Sequence, residues 1–448
     1  MCSRYGVCMV IKLLKQIAFL ILMAGGLWLA YMSMQHLQDI YLATTQLFVR
    51  FGISIIFAFT MLIVLRYMLI MFFSILQTIR NTADENTSTC SYRCEMVSVI
   101  VPCYNEEDVI IASLKGLISQ TYPYIEIIVV DDGSKDRTYD LAKKFEYKES
   151  IKSLKVLTKE NAGKSKALNF GIEKAQGTLI CSVDADSKLD PNAIEFLVQH
   201  FKDPQIAAVA GSVHVINTDS FLTKLQALEY IQGLNMVKNA QALVKLVNII
   251  PGPIGMFRKE AIKEVGYYSH DTFAEDCDIT LALIAKGYKI DFEPDAIAYT
   301  EAPEHLLELL KQRYRWTRGI LQAIKKNKKF LWNFKKPSIT FVMWYMLFEA
   351  IFWPFIQLWG DLFMIYLAFS TGMSQLLLFW WILFSVLDIA GAIYCLLLTR
   401  EKLSLAFYAL VYRLVFITVI NIAKILATLE EWFGTEMSWG KLERKGRI

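Results

Sequence analysis

The sequence has few of the features that mark secreted, zinc-binding or nucleic-acid-binding proteins. Its eight cysteines are scattered, and since only Cys90 and Cys94 lie close together they form neither a disulfide framework nor a zinc pattern. A reducing, cytosolic environment is the simpler interpretation. The formal net charge is only +4 over 448 residues, which gives no reason to expect a nucleic-acid partner. A Walker-type phosphate loop is also missing, because Gly163-Lys164-Ser165 lacks the earlier glycine at the required spacing.

Apolar residues are abundant instead. The hydrophobic content of 55%, the aromatic content of 13% and the mean hydropathy of +0.36 exceed those of an ordinary soluble domain. An uncharged run at residues 17–34 is long enough to cross a bilayer, and a second run follows at 51–76. We therefore predict two transmembrane helices within residues 1–80. A signal peptide is the rival interpretation, but the first run is long, lacks an obvious cleavage site and precedes another apolar run.

Positive charge flanks these two runs and is missing between them. Residues 35–49 contain no Lys or Arg, whereas Lys12 and Lys15 precede the first run and Arg80 follows the second. The positive-inside rule then predicts that the N-terminus and the chain after Arg80 are cytosolic. Residues 81–96 are polar with no apolar period and are predicted to form a linker.

Short apolar runs alternate with helical patterns after the linker. Strands are predicted at residues 97–102, 125–130, 153–157 and 179–183, with helices between them. This alternation predicts a cytosolic α/β domain at residues 97–304, built on a parallel, doubly wound sheet. In such sheets ligands bind beyond the carboxyl ends of the strands.

Acidic side chains follow two of the predicted strands. Asp131 and Asp132 end the second strand, and Asp184 and Asp186 follow the run at 179–183. Two carboxylates at spacing i, i+2 can share one divalent cation, and such hard oxygen ligands suit Mg²⁺ or Mn²⁺. The plainer alternative is a polar loop that caps the next helix, since Asp favours turns whatever its chemistry.

Two further segments offer groups for a nucleoside diphosphate. Residues 161–169 place Lys164 and Lys166 at a predicted helix start, where backbone amides and the helix dipole also favour anions. Residues 273–287 predict a helix that is opened by Glu275 and Asp276 and closed by glycine. Acids in a first helical turn are ordinarily just partners of the helix dipole.

Residues 305–336 are basic and amphipathic. The pattern predicts interfacial helices on anionic lipid better than a nucleic-acid surface, because a bilayer-length apolar run follows at once. Within this segment Gln312, Arg315 and Trp316 lie on adjoining turns. Arg can grip phosphate and Trp can stack on a sugar, although an ordinary membrane-surface helix explains them equally well.

Residues 337–433 are predicted to form a C-terminal transmembrane region, followed by a basic tail at 434–448. Apolar runs cover residues 339–369, 376–399 and 403–429. Three simple spans place the tail outside, whereas its basic residues favour the inside, so we expect one run to be broken, re-entrant or interfacial.

Ionisable residues inside apolar runs usually face a polar pathway or one another. The alternative, that a residue lies near a helix end and reaches the interface, stays open for each one. The candidates to line a channel are Arg66, Glu349, Asp361, Asp388, Arg413 and Lys424.

These motifs in their order resemble the processive family 2 glycosyltransferases, which include synthases of cellulose, hyaluronan, chitin and poly-N-acetylglucosamine. Each motif alone is weak, but four in order at similar spacing are specific. The chain looks most like the bacterial poly-β-1,6-N-acetylglucosamine synthases in length, in its two N-terminal spans and in residues 274–280. It departs from them at Ala274, where Thr is usual, and at Pro251-Gly252-Pro253, where Ser-Gly sequences are common. The matching motifs are Asp131/Asp132, Asp184-Ala-Asp186, Glu275-Asp276 and Gln312-x-x-Arg315-Trp316.

The resemblance implies a GT-A catalytic domain and a role for each matching residue. Asp276 is implied as the catalytic base. Asp186 and Asp184 are implied as the ligands of the metal ion, Mg²⁺ or Mn²⁺. The implied nucleotide-sugar ligands are Asp132, Lys164, Asp184 and Arg315, and the implied acceptor ligands are Glu275, Gln312 and Trp316.

The implied activity is polymerisation of a β-linked polysaccharide from a UDP-sugar, with export of the chain across the cell membrane. UDP-N-acetylglucosamine is the first choice of donor, and hyaluronan-, chitin- or glucan-type products are alternatives. A single transfer to a lipid carrier is a further alternative. The implied partners are the donor, the growing polysaccharide, the lipid bilayer and a small membrane accessory subunit.

Overall fold

A computed structural model of the chain describes residues 24–25, 27–28, 31–32, 34–35, 37–39, 41–42, 47–87, 95–149, 151–371, 374–399, 401–435 and 446. Most of the span predicted at residues 17–34 lies outside these residues, as does nearly all of the basic tail. Residues 88–94 of the predicted linker lie outside them too. The first part of that linker is not a linker, because the helix before it continues to Thr87.

The catalytic-domain candidate is built on one nine-stranded sheet with the order β3-β4-β2-β1-β5-β8-β7-β9-β6. Four of its strands coincide with the predicted ones to within one or two residues. The strands are β1 (Val97–Cys103), β2 (Ile125–Asp131), β3 (Tyr147–Lys148), β4 (Lys152–Thr158), β5 (Leu179–Ser182), β6 (Ser187–Leu189), β7 (Ile206–Val215), β8 (Gly255–Arg258) and β9 (Lys289–Thr300).

Only one half of the sheet follows the parallel arrangement expected from the sequence. Strand β1 pairs in parallel with β2 and β5, and β2 pairs in parallel with β4. Beyond β5 the sheet is mixed, since β8 runs antiparallel to β5 and β7, and β6 runs antiparallel to β9. The purely parallel sheet was therefore a wrong expectation, because β3 also runs antiparallel to β4 and the alternation of β and α patterns does not reveal the direction of these strands.

Helices cover both faces of the sheet and continue into the apolar segments. Short π-helical stretches at Glu229–Asn235, Phe348–Phe352 and Tyr412–Ile417 interrupt three of them. The helices are α1 (Leu47–Thr87), α2 (Ile110–Ile118), α3 (Thr138–Lys143), α4 (Lys164–Lys174), α5 (Ala193–Gln199), α6 (Phe221–Leu228), α7 (Met236–Ala242), α8 (Lys259–Val265), α9 (Glu275–Lys286), α10 (Leu306–Lys326), α11 (Pro337–Leu347), α12 (Trp353–Thr371), α13 (Ser374–Thr399) and α14 (Thr418–Phe433).

The uninterrupted apolar sequences of β1 and β2 have a simple explanation. All seven residues of each strand are buried. Successive side chains of a strand point to opposite faces, so Val99 and Ile127 pack into one core while Ile100 and Ile128 pack into another. A parallel sheet covered on both faces needs apolar residues at every position.

Three helical segments are long and apolar enough to cross a membrane: Val49–Asn81, Pro337–Ser370 and Trp380–Thr399. A bent pair, Leu403–Val411 and Val415–Phe433, would make a fourth, with an angle of 65° between its parts. The break expected in one of the C-terminal runs thus falls in the last run. This count covers only the described part of the chain.

Four of the six predicted intramembrane ionisable residues pair with each other. Arg66 lies 2.6 Å from Glu349, and Arg413 lies 2.7 Å from Asp388. Asp361 accepts a hydrogen bond from the indole nitrogen of Trp380 at 3.4 Å. Pairing of this kind compensates the cost of removing the charges from water.

Helix α10 differs from the lipid-facing helix that its basic residues predicted. Arg313 and Arg318 are buried, and they form ion pairs with Glu229 and Glu431. Pairing compensates the cost of burying these charges, and the partners lie far away in the sequence. The exposed parts of the predicted interfacial segment are mainly its start, at residues 305–307, and its end, which includes Lys325 and Lys329.

A candidate active site at the carboxyl end of the parallel strands

Asp132 holds together two loops at the end of strand β2. Its carboxylate is buried and accepts hydrogen bonds from Lys159 Nζ at 2.6 Å, from the Gly163 amide at 2.7 Å and from the Ala162 amide at 3.1 Å. Neighbouring Asp131 accepts from Thr158 Oγ1 at 3.0 Å. The pair therefore fixes the loop that leads into helix α4.

Lys164 is the first residue of α4 and connects two acidic segments. Gly163, with a φ of 92°, turns the chain into the helix, a conformation that glycine adopts without strain. Lys164 Nζ then lies 2.6 Å from Asp184 Oδ1 and 2.8 Å from Glu275 Oε1. Burial opposes the charge of Lys164, but these two carboxylates outweigh it and raise the lysine pKa.

Asp276 lies in the first turn of α9, directly after Glu275. Its Oδ1 accepts a hydrogen bond from the Cys277 amide at 2.7 Å. Burial, and then the negative charge of Glu275, raise the pKa of Asp276 to about 7, although Lys164 partly opposes the shift. A carboxylate with a pKa near neutrality is suited to accept a proton.

Lys164, Asp184, Glu275 and Asp276 surround one narrow cavity, whose water-accessible volume is about 10 Å³. Gly252 forms part of its wall, and a Cβ atom at this position would lie 2.7 Å from Asp184 Oδ2 and 3.0 Å from Lys164 Nζ. The unusual Pro251-Gly252-Pro253 sequence thus brings backbone against the ion pair. The cavity is lined by Lys164, Leu168, Ser182, Val183, Asp184, Ile250, Gly252, Tyr268, Glu275 and Asp276.

The possible metal ligands are the carboxylates of Asp184 and Asp186, which follow strand β5. Both are half-buried. Burial raises the pKa of Asp184, Lys164 opposes this shift and Asp186 adds to it. In the described part of the chain, no group of three or more His, Cys, Asp or Glu side chains is arranged to hold a metal ion. Two carboxylates fit a hard divalent cation whose remaining ligands come from a phosphate group or water.

Helix α10 places its three predicted residues in different surroundings. Burial tends to raise the pKa of Glu275, but the charge and hydrogen bond of Lys164 outweigh this and lower it, and the charge of Arg315 adds to the lowering. Gln312 is buried and accepts a hydrogen bond from Arg313, while the Trp316 ring lies 6.3 Å from that of Tyr230. Gln312 and Trp316 are not among the residues that line the cavity.

Other residues of the site were missed from the sequence. Lys238 on α7 is buried, and burial lowers its pKa to about 8, while Asp276 opposes the shift. Tyr268 contributes to the cavity wall, and Lys159 binds Asp132. The only available signal for Lys238 was a single charge in a largely apolar stretch, which is weak on its own.

Comparisons with known proteins identify relatives of the chain. The sequence model of the family described as glycosyl transferase family 2 matches residues 98–266. Poly-beta-1,6-N-acetyl-D-glucosamine synthase of Staphylococcus aureus (strain MSSA476) is 33% identical over 291 residues, which are 64% of this chain and 69% of that protein. The synthase of the same name from Staphylococcus epidermidis is 32% identical over 263 residues, which are 58% of this chain and 63% of that protein.

A solved structure confirms the fold. Mannosyltransferase PcManGT from Pyrobaculum calidifontis, in complex with GDP-Man and Mn²⁺, superimposes with a TM-score of 0.55. The match has 20% sequence identity and covers 81% of this chain and 96% of that protein. The predicted GT-A fold, flanked by apolar helices, is thereby confirmed for the domain that carries the cavity.

Proposed function

Because the chain belongs to glycosyltransferase family 2, and to its branch with the poly-β-1,6-N-acetyl-D-glucosamine synthases, we propose that it polymerises N-acetylglucosamine from UDP-N-acetylglucosamine and exports the polymer. The observation that carries this proposal is the cavity in which Lys164, Asp184 and Glu275 meet beside Asp276. A cation, acids and a carboxylate poised to take a proton are the groups that glycosyl transfer from a nucleotide requires.

The donor would bind along the carboxyl ends of β2 and β5. Asp132 accepts from the Ala162 and Gly163 amides and so orders the loop before α4, and the positive end of the α4 dipole would favour the diphosphate. Lys164 and Arg315 would neutralise the charge of the diphosphate. Both cations act at the candidate site, since Lys164 pairs with Asp184 and Glu275 and the charge of Arg315 acts on Glu275. Asp184 orients Lys164 through their ion pair.

A divalent cation, Mg²⁺ or Mn²⁺, fits the same edge of the site. Asp186 would hold it, with Asp184 as the second carboxylate, and the diphosphate oxygens would complete its coordination. When bound, such a cation supplies positive charge that stabilises the departing diphosphate. The relative from Pyrobaculum calidifontis, whose complex contains Mn²⁺, supports this choice of ion class.

Asp276 would act as the base. Its carboxylate takes the proton from the acceptor hydroxyl while the hydroxyl oxygen attacks C1 of the donor sugar, and the bond from C1 to the diphosphate oxygen breaks. The attack comes from the face opposite the diphosphate, so an α-linked donor gives a β-linked product. UDP leaves as an anion, so no second carboxyl group is needed to protonate it.

The acceptor would approach from helix α10. Glu275 lies beside the base, and Gln312 and Trp316 lie on the same helix as Arg315, so we assign these three to the acceptor side. Trp316 offers an aromatic face, which suits a sugar ring. The apolar helices would carry the product across the cell membrane, with the catalytic domain on the cytosolic side. A small membrane subunit would be an additional partner.

The decisive experiment uses the full chain in lipid nanodiscs with one labelled UDP-sugar at a time and Mg²⁺ or Mn²⁺. We expect a polymer from UDP-N-acetylglucosamine alone, and we expect a hydrolase specific for β-1,6-linked N-acetylglucosamine to degrade it. A requirement for UDP-glucuronate, or digestion of the polymer only by a chitinase, would contradict the proposed β-1,6-linked product. If lipid-linked monosaccharide is the sole product, the activity is a single transfer to a lipid carrier and not polymerisation.

A further inference from the structure

Two hydrogen bonds connect the last apolar helix to the segment that carries Asp276. Gln322, on helix α10, donates from Nε2 to Glu431 Oε2 at 3.3 Å, and Glu431 lies at the end of α14. The same amide accepts through Oε1 from the Phe273 backbone N–H at 3.1 Å. Phe273 is separated from Asp276 by only Ala274 and Glu275. One side chain therefore spans the gap between a candidate membrane segment and the first turn of α9.

Close packing supports the same contact. A Cβ atom at Gly319 would lie 2.7 Å from Ala274 Cβ and 2.8 Å from the Ala274 amide nitrogen, so α10 and the start of α9 are in direct backbone contact. Ala274 is the N-cap residue of α9 and provides no side-chain cap. The position of the first turn of α9 consequently depends on α10 and not on a cap of its own.

Glu431, the partner of Gln322 on α14, is itself held by other contacts. Arg318 Nε lies 3.0 Å from Glu431 Oε2, and the same guanidinium donates to the Thr435 carbonyl at 2.7 Å. The Arg318 side chain is only 4% exposed and that of Glu431 15%. Arg318 thus holds the Glu431 carboxylate in place independently of the hydrogen bond from Gln322.

The arrangement also decides how the Gln322 amide is oriented. The Phe273 N–H can only donate, and an ionised Glu431 can only accept. The amide oxygen of Gln322 must therefore face Phe273 and its nitrogen must face Glu431. A side chain held at both ends in this way has one orientation available to it.

We propose that Gln322 is a positioning residue for the catalytic base, which holds residues 273–276 in place under the control of Glu431 on the last apolar helix. This inference rests on the proposed function, because it assigns the base to Asp276. Movement of α14 during polymer export would reach the base through Gln322. The site and the membrane region would in this way be mechanically coupled.

The experiment compares three variants in nanodiscs: Gln322→Glu, Glu431→Gln and the double variant. Gln322→Glu keeps an acceptor for Phe273 but sets two carboxylates against each other, and we expect kcat to fall about 10- to 100-fold with KM for the UDP-sugar unchanged, as for a small misplacement of a reacting group. In the double variant, position 431 carries a neutral amide, so the repulsion between two carboxylates is removed and the negative charge opposite Arg318 moves to position 322. With the repulsion gone, kcat should return to within about threefold of the wild-type value.

The matched control is Tyr314→Phe, which removes the hydrogen bond from Tyr314 to Glu430 and the one from Arg318 to Tyr314. It leaves the hydrogen bonds of Gln322, and those of Arg318 to Glu431 and Thr435, in place. We expect its kcat to stay at the wild-type value. Gln322→Ala, which should lower kcat in the same way, serves as a second variant if Gln322→Glu is poorly folded by thermal unfolding.

Wild-type kcat in both Gln322→Glu and Gln322→Ala would overturn the positioning role and leave the proposed function intact. So would a double variant no better than Gln322→Glu, or an equal loss in Tyr314→Phe. Absence of glycosyl transfer by the wild-type protein would contradict the proposed function, and the positioning role with it.

Discussion

Lys164 Nζ and Asp184 Oδ1 lie 2.6 Å apart, with the backbone of Gly252 against both side chains. A methyl group at position 252 would come within 3.0 Å of the amine and 2.7 Å of the second carboxylate oxygen. We predict that Gly252→Ala separates the ion pair and raises KM for the UDP-sugar about tenfold, which corresponds to ~1.4 kcal/mol. Initial rates at varied donor concentration measure this change. Gly360→Ala is the control, because its methyl group would meet nothing closer than 3.8 Å, and an equal KM in both variants would contradict the prediction.

The second prediction concerns the base. Asp276→Asn removes the proton acceptor and keeps the shape of the side chain, so kcat should fall by about 10²- to 10⁴-fold. Binding of UDP, measured by calorimetry, should stay within a factor of about three. Asp278→Asn is the control from the same helical turn, since Asp278 faces Lys326 and Asn327 instead of the cavity. Equal losses of kcat in the two variants would argue against Asp276 as the base.

The third prediction is a pH dependence. Only the ionised form of Asp276 can accept a proton, and its pKa is about 7, so log(kcat/KM) should fall as the pH drops below about 7. The charge of Glu275 raises this pKa. Glu275→Gln should therefore shift the acidic limb to lower pH, in addition to any change in acceptor affinity. A pH–rate profile from about pH 5 to 9 tests this, and a limb that stays in place would show that another group controls it.

The fourth prediction concerns the effect of Lys238 on stability. Burial lowers its pKa to about 8 from the ordinary lysine value of 10.5, so the unfolded chain binds more protons than the folded protein between these pH values. The free energy of unfolding should consequently rise with pH across this window. Lys238→Met should abolish that rise and increase the melting temperature at pH 7, where the wild-type protein must bury a charge. Thermal unfolding at several pH values is the measurement, and parallel curves for the two proteins would exclude this role of Lys238.

The fifth prediction concerns the ion pair between Arg413 and Asp388. Both side chains are largely buried, at 15% and 2% exposed. Asp388→Asn should lower the free energy of unfolding by about 3–5 kcal/mol, because the guanidinium is left without a counter-charge. Replacing both, as Asp388→Leu with Arg413→Met, should cost less than Asp388→Asn alone. Denaturant unfolding in detergent compares them.

The control for that comparison is Glu107→Gln, which breaks a pair with Arg137, whose side chain is 77% exposed. Exposed pairs contribute about 0–1 kcal/mol, so its unfolding should match the wild type. If the double variant unfolds more easily than Asp388→Asn, the pair is stabilising in itself, contrary to the prediction.

Local pattern was enough to predict the parallel half of the sheet and the acids at its edge. Strands buried on both faces need a continuous apolar sequence, so β1 and β2 could be predicted from the sequence alone. Helix α9 was equally clear, since acids open it and Gly287, with a φ of 97°, closes it. Strands β6 to β9 were not predicted, and neither was their direction, because pairing partners far apart in the chain leave no periodic signal.

The local sequence pattern predicted an α/β domain and the acids beyond the strand ends, and the resemblance of the ordered motifs to known sequences predicted the family. Which charges meet became clear only from the packing of distant segments. Lys164 pairs with Glu275, Arg313 is buried against Glu229, and Gln322 joins Phe273 to Glu431. Burial of these charges and of the Gln322 amide is compensated because packing brings each of them a partner. Spacing along the chain is a local property, whereas this compensation depends on the whole fold.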